Sequence, residues 1–467
     1  MRTLADEPDN FYTHWNRTLI PDIWKGYTMR IQTILWTAML FIAGGICHAQ
    51  TVAAPYEVGT WHGFRQAAVT YTFDDNTPNQ FDQAIPIFNE FNFNLTLFIV
   101  TDPAWEWAAD WTVLQNAAAQ GHEVASHTVT HTTFAGMADE AQDMELKNSK
   151  ATIEANIPGY HCITMAYPYC ATGRQSICEQ YYIAGRICSG SIEKSTPRNF
   201  MGISSIICGT EGSVQTCDHF ISRAKQAANA NGWCVYLLHG VDDDGGWSPV
   251  PSETLRETLE YLSAHQDSFW VQTFGNVTRY IKERDAVSVE ETSVEDAVIT
   301  LAVTDTLADS IYNVPVTLRR PLPEGWPFAT VTQNGQPVEV TTQRIEGVQH
   351  ILFNVIPDQG DVVITKNNTT HVQSNKNITP GSHSLLYNYP NPFNPSTTIS
   401  FDLNKSSEVT LEVFDNIGRT VDRLVHDKLP AGTHSVVFRG GALPSGIYYY
   451  QLKTTELALQ RKMILLK

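Results

Sequence analysis

Between Gln66 and Arg284, short apolar runs of strand length alternate with stretches of helical period, and this alternation constrains the fold more than any other feature. Strand followed by helix, repeated, requires crossover connections. The runs therefore form a mostly parallel sheet with helices packed on it. The spacing predicts strands over 67–73, 95–100, 123–126, 163–167, 234–238 and 269–274. Between them Phe81, Ala84, Ile85, Phe88 and Phe91 recur at helix spacing, and residues 254–262 repeat the pattern after a Ser252 cap with Glu253 in the first turn. An α/β barrel presents the carboxyl ends of its strands on one face, so the residues that follow each run are the candidates for chemistry.

Three of those ends carry suitable side chains. Thr72-Phe73-Asp74-Asp75 places two carboxylates where a strand stops; neighbouring side chains diverge there, so one can ligate a cation while the other faces a substrate. His127-Thr128-Val129-Thr130-His131 follows another strand. An i, i+4 pair on a helical turn puts both imidazoles on one side, and a carboxylate completes a three-ligand site with a position open for water. Val235-Tyr236-Leu237-Leu238-His239-Gly240 sets a third histidine at the end of a buried strand, where an imidazole can act as a general acid. Each motif alone also reads as something ordinary, namely a turn, a helix cap or a packed histidine.

Taken in order, TFDD, HTVTH, Ala166-Tyr167-Pro168-Tyr169 and LLHG resemble the polysaccharide deacetylase family (NodB-like, carbohydrate esterase family four) over about residues 67–284. The resemblance implies a distorted, incomplete (β/α) barrel. It implies Asp74 as catalytic base, Asp75, His127 and His131 as metal ligands, His239 as general acid, and the backbone N–H of Tyr169 as oxyanion donor. The cofactor it implies is a divalent metal, with Zn²⁺ first for two imidazoles and a carboxylate, and Co²⁺ or Ni²⁺ as alternatives. Two features depart from the family pattern. Ala166 stands where many members carry an arginine that orients the base, and Arg186, ending another apolar run, could supply that charge. The Asp and Trp pairing that tunes the acid is also absent; Asp242 to Asp244 is the nearest substitute and reads more simply as a solvated turn. Of the aromatic residues near the motifs, including Trp105, Trp107 and Trp111, Trp247 is the foremost candidate for stacking on a sugar.

Past the barrel the helical period stops. Residues 287–366 show alternating runs divided by Pro and Gly turns and read as a small β-sandwich. Residues 367–384, rich in Asn, Thr and Ser without apolar pattern, read as a linker. The last part, 385–467, reads as a second β-sandwich and carries Asn388-Tyr389-Pro390-Asn391-Pro392-Phe393-Asn394-Pro395, Phe414-Asp415-Asn416-Ile417-Gly418-Arg419, Ser445-Gly446-Ile447-Tyr448 and Lys462-Met463. It resembles the sorting domain of the type nine secretion system, which implies that machinery as a partner and a place at the cell surface or outside.

Export also fits the other end. Met29-Arg30, the apolar run 31–46 and Cys47-His48-Ala49 read as a signal peptide over 29–49, the run being shorter than the roughly twenty residues of a membrane span. Residues 1–28 read as an extension upstream of the true start, and 60–286 as the deacetylase domain. Of the eight cysteines all but Cys47 lie between Cys162 and Cys234, and in an oxidising compartment they read as structural bridges plus one buried thiol. A formal net charge of −18 excludes nucleic acid as a partner, since phosphate recognition needs clustered Lys and Arg. The expected substrate is an acetylated glycan, N- or O-linked. A carbohydrate-binding protein without turnover, or a metal hydrolase acting on a non-sugar amide, would carry the same motifs.

Overall fold

The computed structural model describes residues 51–367 and, nearer the carboxyl terminus, 384–389, 393–403, 405–415, 418–441, 443–454 and 458–465. The residues read as an upstream extension (1–28), as a signal peptide (29–49) and, but for its ends, as a linker (367–384) lie outside the described residues.

Two short strands, β1 (Thr51–Val52) and β2 (Glu57–Val58), precede β3 (Ala67–Asp74). The strands β4 (Thr96–Ile99), β5 (Glu123–Ser126), β6 (Thr164–Ala166), β7 (Ala184–Arg186), β8 (Ile206–Ile207), β9 (Trp233–Leu238) and β10 (Phe269–Val271) follow. They form one curled sheet of eight strands in the order β7-β6-β5-β4-β3-β9-β8, with β10 joined to the start of β3. Every named pairing is parallel, as the alternation requires, and the sheet is an open barrel. The strands β7 and β8 escaped the sequence reading because two or three residues, one of them Gly185, carry too little pattern.

Helices α1 (Ile85–Glu90), α2 (Trp111–Ala119), α3 (Asp139–Asn156), α4 (Gln175–Cys178), α5 (Cys217–Asn229), α6 (Ser252–Ala264) and α7 (Phe274–Ala286) accompany the strands. Before α1 the chain makes a π-turn over Gln80–Ala84. Ser252 is the first residue of α6 rather than its cap: its N–H donates to Asp242 Oδ1 at 2.8 Å, so a carboxylate from a neighbouring loop caps the helix. At the amino-terminal end of the barrel, buried Glu123 accepts from Thr96 (2.9 Å), Thr164 (2.6 Å) and the N–H of Gly275 (2.7 Å). A Cβ on Gly275 would stand 2.4 Å from that carboxylate, so only glycine fits the approach.

The cysteines correct the sequence reading. Among the described residues there is one bridge, Cys170–Cys188. Cys162, Cys178, Cys208 and Cys234 are free thiols within the apolar core and pack there as small hydrophobes, and Cys217 is a half-buried thiol.

After α7 come β11 (Ser288–Val294), β12 (Val298–Thr304), β13 (Val316–Pro321), β14 (Phe328–Gln333), β15 (Gln336–Val338), β16 (Val340–Ile345), β17 (Val348–Val355) and β18 (Val362–Asn367). They make two sheets, β1-β11-β12-β18-β14-β15 and β16-β17-β13-β2, with one apolar cluster between them. The segment before the barrel thus adds a strand to each sheet, a pairing that no local pattern in residues 51–58 announces. The carboxyl-terminal part holds two further antiparallel sheets, of three and four strands, around Phe393, Phe401, Leu411, Phe438 and Tyr450.

The middle sheets are fastened to the barrel by hydrogen bonds. Gly59 N–H donates to Thr317 O (2.9 Å), Gly63 N–H to Thr317 Oγ1 (2.8 Å) and the Tyr280 hydroxyl to Gly59 O (2.8 Å). Glu283 of α7 accepts the Val314 N–H at 3.2 Å and faces the Asp305 carboxylate. Burial, and then Asp305, push the Glu283 carboxyl up to about 9. A carboxyl raised in the folded state binds an extra proton there. Its contribution to stability is full below the ordinary carboxylate range and is lost as pH rises through about 9. Glu283→Gln keeps the acceptor and offers Asp305 an N–H. Thermal melts from pH 5 to 9 are expected to show the variant gaining on the wild type as pH rises; a constant difference would refute the assignment.

Candidate active site

Strand alternation puts the functional side chains together. Along β3, Ala67, Val69, Tyr71 and Phe73 enter the core beneath the outer helices, while Ala68 faces inward with Phe98, Ala125, Ala166, Ala184, Trp233 and Val235. Counting on by twos from these inward residues reaches Asp74, His127, Arg186 and His239, all at or just past the carboxyl ends of their strands. The barrel phase, more than any local motif, selects this set.

Arg186 and Asp74 form the centre. Arg186 Nη2 donates to Asp74 Oδ2 at 2.5 Å and Nη1 to Thr72 Oγ1 at 3.2 Å, and the guanidinium lies 5.1 Å from the Phe98 ring centroid. Both partners are nearly dry, Arg186 at 1% exposure and Asp74 at 2%. Burial alone would raise the Asp74 carboxyl, but the charge of Arg186, with help from His127 and His239, outweighs it and holds the group below the usual carboxylate range. Ala166, where the sequence lacks an arginine, is in register with Arg186 across β6 and β7. The guanidinium therefore arrives at the same level from one strand farther out.

Asp75, His127 and His131 gather beside this pair. His127 Nε2 lies 3.6 Å and His131 Nε2 3.4 Å from Asp75 Oδ1, and one ligand atom from each residue falls within 4.8 Å of the others. The expected helical turn over 127–131 does not form. Thr128 and His131 take left-handed backbone angles (φ 70° and 56°) in an irregular loop. Glu145 of α3 accepts the N–H groups of Val129 (2.8 Å) and Thr130 (3.0 Å), and Thr128 Oγ1 accepts that of His131 (3.1 Å). The two rings still approach to 4.7 Å.

This donor set suits a divalent cation. His127 Nδ1 donates to Ala166 O at 2.9 Å, which turns Nε2 toward Asp75 and fixes the tautomer a ligand needs. Asp75 Oδ1 is buried without a hydrogen-bond partner among the described residues. Burial, then the charge of Asp74, push the Asp75 carboxyl up to about 7, a cost that a bound cation would remove. Burial lowers His127, His131 and His239 to about 4, so the imidazoles stay neutral, as ligation requires.

His239 completes the floor, its Nε2 3.9 Å from Asp74 Oδ2 and 3.8 Å from Asp75 Oδ2. Its Nδ1 is buried without a partner among the described residues. The Asp242–Asp244 loop does not tune it: Asp242 caps α6, and Asp244 accepts the N–H groups of Asn79, Val241 and Gly246. Trp247 meets the His239 ring edge-on at 4.8 Å and is half exposed. Tyr169, 71% exposed, sits in a left-handed conformation (φ 54°) with its ring 4.7 Å from His131.

Several contributors have no motif to reveal them. Gln80 Nε2 donates to both Asp74 O (2.5 Å) and His239 O (3.0 Å), clipping the ends of β3 and β9 together. The only hint is its place at the π-turn, an irregularity that concentrates at functional sites. Trp105 Nε1 donates to Asp75 O at 3.0 Å and its ring lies 5.2 Å from His131. Glu145 is set by tertiary approach alone, and Thr72, though part of the TFDD motif, gives no sign in the sequence that it accepts from Arg186.

Comparison with known proteins gives the site a context. Residues 63–181 match the model of the polysaccharide deacetylase family, and residues 388–466 that of the secretion system C-terminal sorting domain. A gellan lyase from Bacillus sp. is 28% identical over 336 residues, covering 66% of this chain and only 13% of that protein. Among solved structures, the family 4 acetyl xylan esterase from Clostridium thermocellum, in complex with cobalt, is 18% identical. That alignment covers 45% of this chain and 89% of the other, with a TM-score of 0.31. The CE4 domain of a multidomain xylanase from the hindgut metagenome of Trinervitermes trinervoides is 17% identical over 45% of this chain and 88% of the other, with a TM-score of 0.32. The sorting domain marks the chain for export by the type nine secretion system to the cell surface or beyond. Among the described residues, no helix is long and apolar enough to cross a membrane.

The Gln80 clip is testable. Gln80→Leu takes the side-chain donor from Asp74 O and leaves His239 O only the Thr77 hydroxyl at 3.2 Å, and urea unfolding is expected to show a loss of about 1–3 kcal/mol. A variant as stable as the wild type would mean that the two contacts contribute nothing.

Proposed function

We propose that this chain, which carries a polysaccharide deacetylase domain and a secretion-system sorting domain, is an exported metal-dependent hydrolase that removes acetyl groups from a polysaccharide or its fragments. The observation that carries the reading is the buried Arg186–Asp74 pair set against the Asp75, His127 and His131 cluster. A binding protein without turnover has no need to hold a carboxylate ionised beside three convergent ligand groups. The arrangement is what hydrolysis by an activated water asks for.

In this reading Asp75, His127 and His131 hold a divalent cation, Zn²⁺ by donor type with Co²⁺ and Ni²⁺ as alternatives, which polarises the acetyl carbonyl and makes a nearby water more acidic. Asp74 takes the proton of the attacking water. It can do so because Arg186 occupies one of its oxygens while Oδ1 is left without a partner among the described residues. Attack on the carbonyl builds negative charge on its oxygen, and in this reading the N–H of Tyr169 donates to it; one such donor contributes about 3 kcal/mol. His239 delivers a proton to the departing amine or alcohol, leaving acetate and a deacetylated sugar. The rings of Trp247, Tyr169 and Trp105 stand around His239 and His131, where they suit the flat apolar faces of pyranoses.

Acetate release from acetylated oligosaccharides is expected to stop on chelation and to return with Zn²⁺ or Co²⁺. Asp74→Asn should cut turnover about 10²–10⁴-fold, and Arg186→Ala should cut it sharply, while both keep the wild-type cation content by elemental analysis. Full turnover by the chelated protein, or by Asp74→Asn, would sink the reading.

A further inference from the structure

The Cys170–Cys188 disulfide lies where the Tyr169 turn meets the segment that follows Arg186, a segment held on its other side by the Ile187 N–H to Ile203 O bond at 2.8 Å. Cys170 follows Tyr169 directly, and Cys188 is two residues past Arg186, with Cα atoms 5.7 Å apart. The backbone between the two segments runs out just before the bridge. Ala166 and Arg186 form the last paired positions of β6 and β7, and beyond them only the Tyr167 N–H reaches across, to Arg186 O at 3.2 Å. The turn Pro168–Cys170 then carries two successive residues in left-handed conformations, Tyr169 at φ 54° and Cys170 at φ 58°. Such residues cost on the order of 1 kcal/mol or more each and persist only where the surroundings impose them. Tyr169 is mostly exposed, and apart from its ring against His131 little of the fold bears on it. Two bonds close the turn on itself, Cys170 N–H to Tyr167 O (3.0 Å) and Ala171 N–H to Pro168 O (3.2 Å), and the covalent link is what ties it to the neighbouring strand end.

We propose that the Cys170–Cys188 bridge is a positioning element of the active site, holding the Tyr169 turn and the Arg186 strand end in working geometry and so making turnover depend on oxidation. The inference rests on the proposed roles of Tyr169 and Arg186. The two cysteines are half-buried, within reach of an exchanging thiol, whereas four of the five free thiols among the described residues lie buried in the core and offer no alternative partner at the surface. Closing the bridge joins the two sulfurs and releases two electrons and two protons, which a disulfide-bearing oxidant accepts by thiol–disulfide exchange. A chain still in a reducing compartment keeps its proposed cation ligands, which lie just past β3 and in the loop after β5, but lacks the fixed turn. Deacetylation would then begin only after export to an oxidising space.

The test uses the full chain and Cys170→Ser/Cys188→Ser, with Cys217→Ser as control. The double variant is expected to lose at least about tenfold in kcat, with a smaller change in KM, unchanged cation content and an unchanged far-ultraviolet spectrum. Mild reduction of the wild type should reproduce the loss, and reoxidation by oxidised glutathione should reverse it; the Cys217 variant should match the wild type. A double variant with wild-type kcat would overturn the proposal, as would a loss that merely follows the fraction unfolded. Should the oxidised wild type release no acetate from any substrate, the proposed function fails, and amide hydrogen exchange then decides this inference separately. Faster exchange at residues 169–171 and 186–188 in the double variant, with β3 and β5 unchanged, supports the clamp; equal exchange overturns it.

Discussion

The site depends on one buried charge pair. A guanidinium at 1% exposure cannot be placed in a barrel interior unless something takes up its charge, and Asp74 is the only carboxylate that Arg186 bonds among the described residues. The dependence runs both ways, because Asp74 would otherwise be pushed toward protonation by its own burial. Removing either partner of such a pair costs about 3–5 kcal/mol, while replacing both with apolar side chains is often neutral or stabilising. Stability therefore does not account for the pair. Its place does: the fixed charge sits within 4 Å of His127 and His239 and so sets the field in which every other group of the site must work.

How the other groups reach this field depends on two kinds of order. Regular order comes from strand phase, which delivers Asp74, His127, Arg186 and His239 to one interior without help from loops. Irregular order delivers the rest. Asp75, Thr128, His131 and Tyr169 all take left-handed angles without being glycine, and each follows closely on a strand end. These turns let consecutive residues point at one centre, as an extended strand, with alternating faces, cannot. Trp105, Glu145 and Gln80 hold the bends by bonding backbone groups of residues 74, 75, 129, 130 and 239.

That division explains what was legible beforehand. The parallel sheet followed from the alternation of runs, and the motif residues followed from their position at strand ends together with family resemblance. The geometry of His127 and His131 was read through the wrong local structure, since an i, i+4 spacing fits a helical turn and an irregular loop alike. Arg186 was visible only as a charge ending an apolar run. That its guanidinium reaches Asp74 from the level of Ala166 depends on β6 and β7 being adjacent and in register, which is tertiary information. Gln80 and Glu145 left no trace because an amide or carboxylate on a helical stretch looks the same whether it faces solvent or a distant backbone.

The two ends of the barrel settle their buried charges in opposite ways, and the contrast points to where flexibility is tolerated. At the amino-terminal end Glu123 is bonded by three donors from β4, β6 and the start of α7, a closed arrangement with no room for a Cβ on Gly275. At the carboxyl-terminal end Asp74 Oδ1, Asp75 Oδ1 and His239 Nδ1 are buried without partners among the described residues. Each unsatisfied group costs roughly 1–3 kcal/mol. A fold can carry several such groups at one end only if the other end, and the middle sheets fastened through Thr317 and Glu283, hold the barrel firmly enough to offset them. The closed end and the middle module are in this sense conditions for the open end: they keep unsatisfied polar atoms in place where the proposed cation and substrate would satisfy them.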